Sequence, residues 1–239
     1  MFICRLLNTY APLSELKEIY EAAIDHPQVV GLSLGTRPDC IDEEKLAYLQ
    51  TLTKKYEIVI EYGMESIKDE TLAWINRCHT FDEFKQAIKL TKIYAPDVLI
   101  ASHVIIGFPV EDKQDWLEMA DVVSTLDINF LKLHQLHVVK NTVLAKMYIE
   151  KPFKTLTLQE YLDVVVEVIE RLNPSIVLQR VFGQTLKQLL IAPHYTEGDF
   201  KIGSHRFMEM VNEKLAARGS VQGTLFGKSE SYTYVESSL

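Results

Sequence analysis

Apolar and polar positions follow two alternating periods along the chain. Short aliphatic runs, interrupted only by small or isolated polar residues, recur at 2–7, 29–34, 57–62, 98–106, 129–138 and 175–181. Runs of this length and texture predict strands covered on both faces, as in a parallel sheet. Between them apolar residues fall three and four apart. Leu13, Leu16, Ile19, Tyr20 and Ala23 form one such stripe, and Phe81, Phe84 and Ile88 a second. Trp116, Met119, Ala120 and Val123 form a third, and Leu158, Tyr161, Leu162, Val165, Val168, Ile169 and Leu172 a fourth. That spacing predicts amphipathic helices. Thr80-Phe-Asp-Glu83 and Thr157-Leu-Gln-Glu160 read as capping boxes that open two of them. A helix from about Asp42 begins on acidic residues, as the helix dipole prefers, and a last helix is expected over 204–217. Strands alternating with helices at these lengths predict right-handed βα units and an α/β fold with a parallel sheet. Five or six strands are too few to close an eight-stranded barrel, so a curved partial barrel or a doubly wound sheet is expected.

The pattern breaks hardest within Val29-Val-Gly-Leu-Ser-Leu-Gly-Thr-Arg-Pro-Asp-Cys40, where a buried strand gives way to a polar loop. Loops at the C-terminal ends of parallel strands carry the chemistry of such folds. Gly35 would let a ligand approach the backbone. Arg37 offers a planar fork to a carboxylate or phosphate, or pairs with Asp39. Other polar residues gather after strand ends: Asn8 and Thr9; Glu61, Gly63, Glu65 and Ser66; Ser102, His103 and Gly107; Lys132, His134 and His137. Parallel strands would bring these to one rim. A lone Glu61 reads as the partner of a nearby Lys or Arg. His103 reads as a core residue or a ligand contact. Lys132 and His134 share a face by alternation, and His137 points away from it. Asn76-Arg77-Cys78-His79 reads as a solvated helix end, or as a polar loop at the rim. The residues alone leave two readings: a cofactor- or nucleotide-binding α/β enzyme, and a hydrolase holding a divalent ion with His103, His134, Glu61 and Asp39.

Composition narrows this. The 239 residues are 47% hydrophobic, enough for one sizeable core, and no linker interrupts 1–226, which reads as a single domain. The tail at 227–239 is polar and reads as disordered. The net charge of −8 does not favour nucleic acid. Lys151, Lys154, Arg180 and Lys187 are scattered bases that read as a solvated face. No apolar run is long enough to span a bilayer and no signal-peptide pattern opens the chain, so no membrane partner is expected. Cys4, Cys40 and Cys78 are few and far apart. They form no disulfide framework and no CxxC pair, which fits a reducing, cytoplasmic setting and no local metal site.

Five stretches carry a family likeness. They are Gly35-Thr-Arg-Pro-Asp-Cys40, Glu61-Tyr-Gly-Met-Glu-Ser66, Ile75-Asn-Arg-Cys-His79, Ser102-His-Val-Ile-Ile-Gly-Phe-Pro-Val-Glu111 and Lys132-Leu-His-Gln-Leu-His-Val-Val-Lys140. In order and spacing they resemble the YhcC/YtqA type of radical S-adenosylmethionine proteins, relatives of the Elongator catalytic subunit and of oxygen-independent coproporphyrinogen oxidase. The likeness runs from about residue 8 to about residue 227 and includes Val221-Gln-Gly-Thr-Leu-Phe-Gly227. It implies an enzyme with a partial (β/α)6 radical-SAM-type barrel. A [4Fe–4S] cluster is held there by three cysteines after the first strand, and S-adenosylmethionine is cleaved to a radical. By this resemblance Asn8 and Thr9 meet the methionine part of the cofactor. Gly35, Arg37 and Glu61 line the next sector with Ser66 nearby. His103 approaches the ribose, and Gly107 and Pro109 the adenine. Arg77, Lys132 and His134 lie on the substrate side. The resemblance also implies transfer-RNA modification at the 5-substituent of the wobble uridine, and an electron donor such as flavodoxin or ferredoxin.

The chain departs from that pattern. It opens at what matches the family's second strand, and its cysteines lack the cluster spacing. Met64-Glu65 also replaces a pair that usually includes Gln. The expectation is a fragment: a radical SAM core with a C-terminal helical extension, lacking its first strand and cluster loop. It would be inactive as given, with an open strand edge. The alternatives are a metal-dependent hydrolase barrel and a non-catalytic remnant that binds S-adenosylmethionine or a partner.

Overall fold

The computed structural model describes residues 2–3, 8–197 and 200–228. The chain forms two compact units, one of residues 1–104 with 127–131, the other of residues 105–126 with 132–239. Cys4, most of the strand expected at 2–7 and nearly all of the tail expected at 227–239 lie outside the described residues.

The first unit runs β1 (Phe2–Ile3), α1 (Leu13–Ile24), β2 (Gly31–Thr36), α2 (Glu43–Leu52), β3 (Glu57–Glu65), α3 (Asp69–Trp74), α4 (Phe81–Tyr94) and into β4 (Leu99–Ile106). β1 to β4 are parallel neighbours in that order, with Phe2 opposite Leu32, Leu34 opposite Ile60 and Ile60 opposite Ile100. The start of β5 (Phe130–Gln135) joins beside β4: the Asn129 amide donates to the Ile100 carbonyl at 2.9 Å, and the Ile100 amide to Asn129 Oδ1 at 2.8 Å. One sheet face carries Leu32, Leu34, Ile58, Ile60, Tyr62 and Ile100, all buried with Leu46, Leu49 and Phe84 of the helices. The Tyr62 hydroxyl is satisfied there by Thr91 Oγ1 at 2.8 Å. Strand alternation puts Ser33, Gly35, Glu61, Gly63 and His103 on the other face.

Two expectations shift. The strand at 29–34 lies at Gly31–Thr36, because Val29 closes a turn onto the His26 carbonyl and Val30 is exposed. The buried stripe of α1 is Leu16, Tyr20 and Ile24, with Ile19 exposed. The capping box of Thr80 and Glu83 forms as read, and α2 starts on Asp42, whose side chain accepts from the Lys45 amide.

The second unit holds α5 (Lys113–Val123), the end of β5, β6 (Val138–Val139), α6 (Val143–Glu150), α7 (Leu158–Arg171), β7 (Val177–Arg180), β8 (Leu190–Ala192), β9 (Thr196–Glu197), β10 (Phe200–Lys201) and α8 (Ser204–Arg218). β7 lies beside β5. The strand expected at 129–138 splits, and its last residues turn away to pair antiparallel with β8, Val138 opposite Ala192. Helix α7 is the hub. Tyr161, Val165, Val168 and Ile169 are buried, and the Tyr161 ring sits 5.3–6.3 Å from those of Phe182, Tyr195 and Phe207. Its hydroxyl donates to the Val181 carbonyl at 2.8 Å, which satisfies a buried polar atom. Two buried acids are paired: Asp121 with Arg171 at 2.9 Å, and Glu170 with the fork of Arg218 at 2.9 Å on both arms. A third capping box, Asp112 with Asp115, opens α5. Among the described residues no helix is long and apolar enough to cross a membrane.

Gly31 is where two backbones of the first unit's sheet approach most closely. A Cβ there would lie 2.1 Å from the Glu57 carbonyl oxygen, backbone against backbone. Gly31→Ala is therefore expected to cost about 2–3 kcal/mol in urea unfolding. A variant as stable as the parent would contradict this packing.

Candidate functional site

Three polar side chains line up on the face of β2, β3 and β4 opposite the apolar core. The Ser33 hydroxyl donates to Glu61 Oε1, and Glu61 Oε2 meets His103 Nε2 at 3.0 Å. The register explains the alignment. Ser33 lies opposite Val59 and Glu61 opposite Ala101, so each contact spans a diagonal of two residues. The Glu61 side chain is 10% exposed and that of His103 28%. A carboxylate so far from water needs partners for both oxygens, and the neighbouring strands supply them. Ser33 was missed in the sequence because it reads as a small spacer. Its signal is the alternation Gly31, Ser33, Gly35 against Leu32, Leu34.

Asn8 and Thr9 clasp the end of β2. Asn8 Oδ1 accepts from the Gly35 amide at 2.8 Å, the Asn8 amide donates to the Gly35 carbonyl at 3.0 Å, and the Tyr20 hydroxyl donates to the Asn8 carbonyl. Thr9 and Thr36 hydroxyls pair at 2.5 Å. Asn8 Nδ2 has no partner among the described residues. The fork of Arg37 is committed to Asp39, at 2.8 and 2.6 Å. Burial alone would raise the Asp39 carboxyl, but the bonds and charge of Arg37 hold it below its usual range. Ser66 is buried and accepts from the Lys68 amide, shaping the turn into α3.

The stretch 76–79 is not a solvated helix end. Arg77 reaches back to β3, where Nη2 donates to the Gly63 carbonyl at 3.0 Å and meets Glu65 Oε1 at 2.9 Å. A Cβ on Gly63 would lie 2.0 Å from that nitrogen, so glycine makes the approach possible. Burial pushes the Glu65 carboxyl up, against the positive charge of Arg77. Glu65 sits at a bulge with φ 66°, and Asn76 and Cys78 are left-handed too, at 53° and 65°. Left-handed non-glycine residues cost about 1 kcal/mol or more each, and they concentrate at functional sites. His79 is buried with neither ring nitrogen hydrogen-bonded among the described residues, and burial lowers its pKa.

The remaining candidates belong to the second unit. Gly107 has φ 106°, with Leu136 and Leu156 closing around it. With Phe108 and Pro109 it lines a cavity of about 510 Å³, where Trp116, Phe153 and Leu156 stand beside the charged Glu111, Lys113, Lys154 and Glu160. Lys132 and His134 are half-buried on β5, with His134 Nδ1 against Gly183. Gly183 is itself clamped by the Gln135 amide, 2.9 Å to its carbonyl and 2.8 Å from its nitrogen. His137 lies past the strand end and bonds the Thr185 hydroxyl at 2.8 Å. The divalent-ion reading does not assemble. Asp39 is held by Arg37, and no three His, Cys, Asp or Glu among the described residues could hold a metal ion.

Comparison with known proteins gives consistent matches. The sequence profile of the Radical SAM superfamily matches residues 8–123, and that of the Radical_SAM C-terminal domain residues 128–216. MJ0486 of Methanocaldococcus jannaschii is 35% identical over 221 residues, 92% of this chain and 66% of that protein. YtqA of Bacillus subtilis is 30% identical over 223 residues, 93% of this chain and 67% of that protein. The chain thus spans about two thirds of the length of these relatives. A tRNA-2-methylthio-N(6)-dimethylallyladenosine synthase of Thermotoga petrophila is 25% identical over 201 residues, 77% of this chain and 42% of that enzyme. Among solved structures, Methanocaldococcus infernus Elp3 with an N-terminal deletion has the same fold. It matches at TM-score 0.70 and 19% identity, over 88% of this chain and 46% of that one.

Burial, helped by the charge of Lys201, lowers the pKa of His137 to about 4. In the unfolded chain its pKa is about 6.5, so the unfolded state binds the proton first on acidification. Its contribution is complete above pH of about 6.5 and is lost as pH falls towards about 4. Because the ring is partly solvated, the loss is expected near 1–2 kcal/mol. Urea titrations at pH 7 and 4.5 should show a smaller difference in His137→Asn than in the parent; equal differences would refute the assignment.

Proposed function

The chain belongs to the radical SAM superfamily, and from that premise we propose that it carries the S-adenosylmethionine-binding core of an enzyme that modifies tRNA. The observation that carries this is the polar strip of Ser33, Glu61 and His103 on the sheet face opposite the core. S-adenosylmethionine presents an ammonium, a sulfonium, a carboxylate, a ribose diol and a flat base, and the residues present fit these groups. Glu61, held in place by Ser33 and His103, offers a carboxylate to a cation. Asn8 Nδ2 offers a donor to a carboxylate, and Gly35 beside it leaves the backbone uncovered. The partly exposed His103 ring offers an edge to a ribose hydroxyl. Arg77 and Glu65 set the charge of the neighbouring rim. By the family resemblance, Gly107 and Pro109 of the second unit are the candidates for the adenine. Lys132 and His134 remain candidates for substrate contact.

S-adenosylmethionine bound beside an iron–sulfur cluster supplies radical chemistry. The cysteines described here do not fit such a cluster. Cys40 is buried in the turn after β2, where burial and then Asp39 push its thiol up, away from the thiolate a metal needs. Cys78 lies on the exposed loop before α4. Cys40 and Cys78 are therefore not taken as cluster ligands. The tRNA part of the reading draws on the name of the Thermotoga petrophila relative. Its finer form is action at the 5-substituent of the wobble uridine, with a flavodoxin or ferredoxin as electron donor.

Calorimetric titration of the chain with S-adenosylmethionine tests the binding core. Binding is expected, and Glu61→Gln should weaken it about tenfold, the worth of one charge-assisted contact. No binding, or an unaffected variant, would overturn the assignment. After anaerobic incubation with iron and sulfide, the chain is expected to retain less than about one iron, against about four for a full cluster. Uptake near four would show that its own cysteines suffice.

A further inference from the structure

Lys140, Lys146, Lys151 and Lys187 are spread along the sequence, but the fold gathers them into one small lobe of the second unit. The lobe has its own core, Val138, Ala145 and Ala192, packed with Leu144, Tyr148 and Phe153. The pairing of β6 with β8 brings the ends together. The Lys140 amide donates to the Leu189 carbonyl at 2.8 Å, and Leu189 closes a turn over Lys187 onto the Leu186 carbonyl at 2.9 Å. Helix α6, which packs on β6, carries Lys146 and ends at Lys151. All four side chains are exposed, and none has a partner among the described residues. Residues 138–153 and 186–192 hold these four lysines against one acid, Glu150, a net of +3. The whole chain carries −8, so the lobe stands against an acidic background. Val143, Ile149 and Leu186 add exposed apolar surface, at 73%, 70% and 62%.

We propose that this lobe is the surface that docks RNA. The inference rests on the tRNA reading above and names its contact surface. Unpaired lysines are what a phosphate backbone recruits, and releasing its counterions drives the association. The adjacent apolar side chains suit the faces of unstacked bases or riboses. An anionic membrane would offer the same charge. However, the only charges on α6 are Lys146 and Glu150, without the strongly cationic face of a helix that lies in a lipid interface.

The test uses the whole chain, unfractionated tRNA as probe, and fluorescence anisotropy across a salt series. The parent is expected to bind with an affinity that falls steeply with salt. The fourfold variant Lys140→Glu, Lys146→Glu, Lys151→Glu, Lys187→Glu should lose at least tenfold and flatten the log–log salt slope by about 3, at roughly 0.7–0.9 for each of four phosphate contacts. A matched control, Lys17→Glu, Lys54→Glu, Lys55→Glu, Lys89→Glu in the first unit, should bind like the parent. Circular dichroism melting confirms that both variants fold. Equal losses in the two variants, no tRNA binding by the parent, or binding to phosphatidylglycerol vesicles in place of tRNA would each overturn the proposal. Any of these would leave S-adenosylmethionine binding at Glu61 standing, because that titration contains no RNA.

Discussion

The carboxylate of Glu61 is the constraint around which the first unit is arranged. It sits mid-strand in β3, largely out of water, where an unpaired charge would be too costly to keep. Two strands meet its need from opposite sides, Ser33 from β2 and His103 from β4. This works only if the three strands are parallel and in the observed register. A one-residue slip would send Ser33 or His103 to the core face and leave Glu61 unpaired. The core on the opposite face fixes that register, because Leu34, Ile60 and Ile100 must stay together. An energetically awkward acid is thus held by the most ordinary part of the structure, an apolar parallel sheet.

The end of β3 shows the same trade in another form. The bulge at Gly63 and Glu65 turns Glu65 towards Arg77, and the missing side chain at Gly63 lets the guanidinium rest on the strand. Glu65, Asn76 and Cys78 take left-handed backbone conformations, which ordinary side chains adopt only when their surroundings compel it. Strain, a half-buried acid and a buried unpaired His79 all lie within the β3–α4 segment. Folding alone would favour none of them, and departures of this kind collect at functional sites.

Much of this was legible in the sequence. The strand–helix alternation, the two capping boxes and the apolar stripes of α5 and α7 follow from local rules that tertiary contacts did not override. Glu61 and His103 stood out as polar residues at strand ends, although the partners seen for Glu61 are a serine and a histidine where a Lys or Arg was expected. What stayed hidden depends on pairing across the chain. Ser33 looks like a spacer until its register against β3 is known. Arg77 looks solvated until a bulge and a glycine give it a seat on β3. The lysines of the cationic lobe look scattered until β6 pairs with β8. Arg37 reads either as a free fork or as the partner of Asp39, and its commitment to Asp39 rests on a two-residue geometry that sequence allows but does not decide.

The central claim is that the strip of Ser33, Glu61 and His103 is where S-adenosylmethionine sits. The most direct test is a proton–nitrogen NMR titration of the histidine rings, with His103 assigned through His103→Gln and His137 through His137→Asn. On adding S-adenosylmethionine, the His103 resonances should shift in a saturable way, while those of His137, bound to Thr185 in the other unit, stay in place. Saturable binding that leaves His103 unmoved would contradict the account and send the search for the cofactor to another face of the chain.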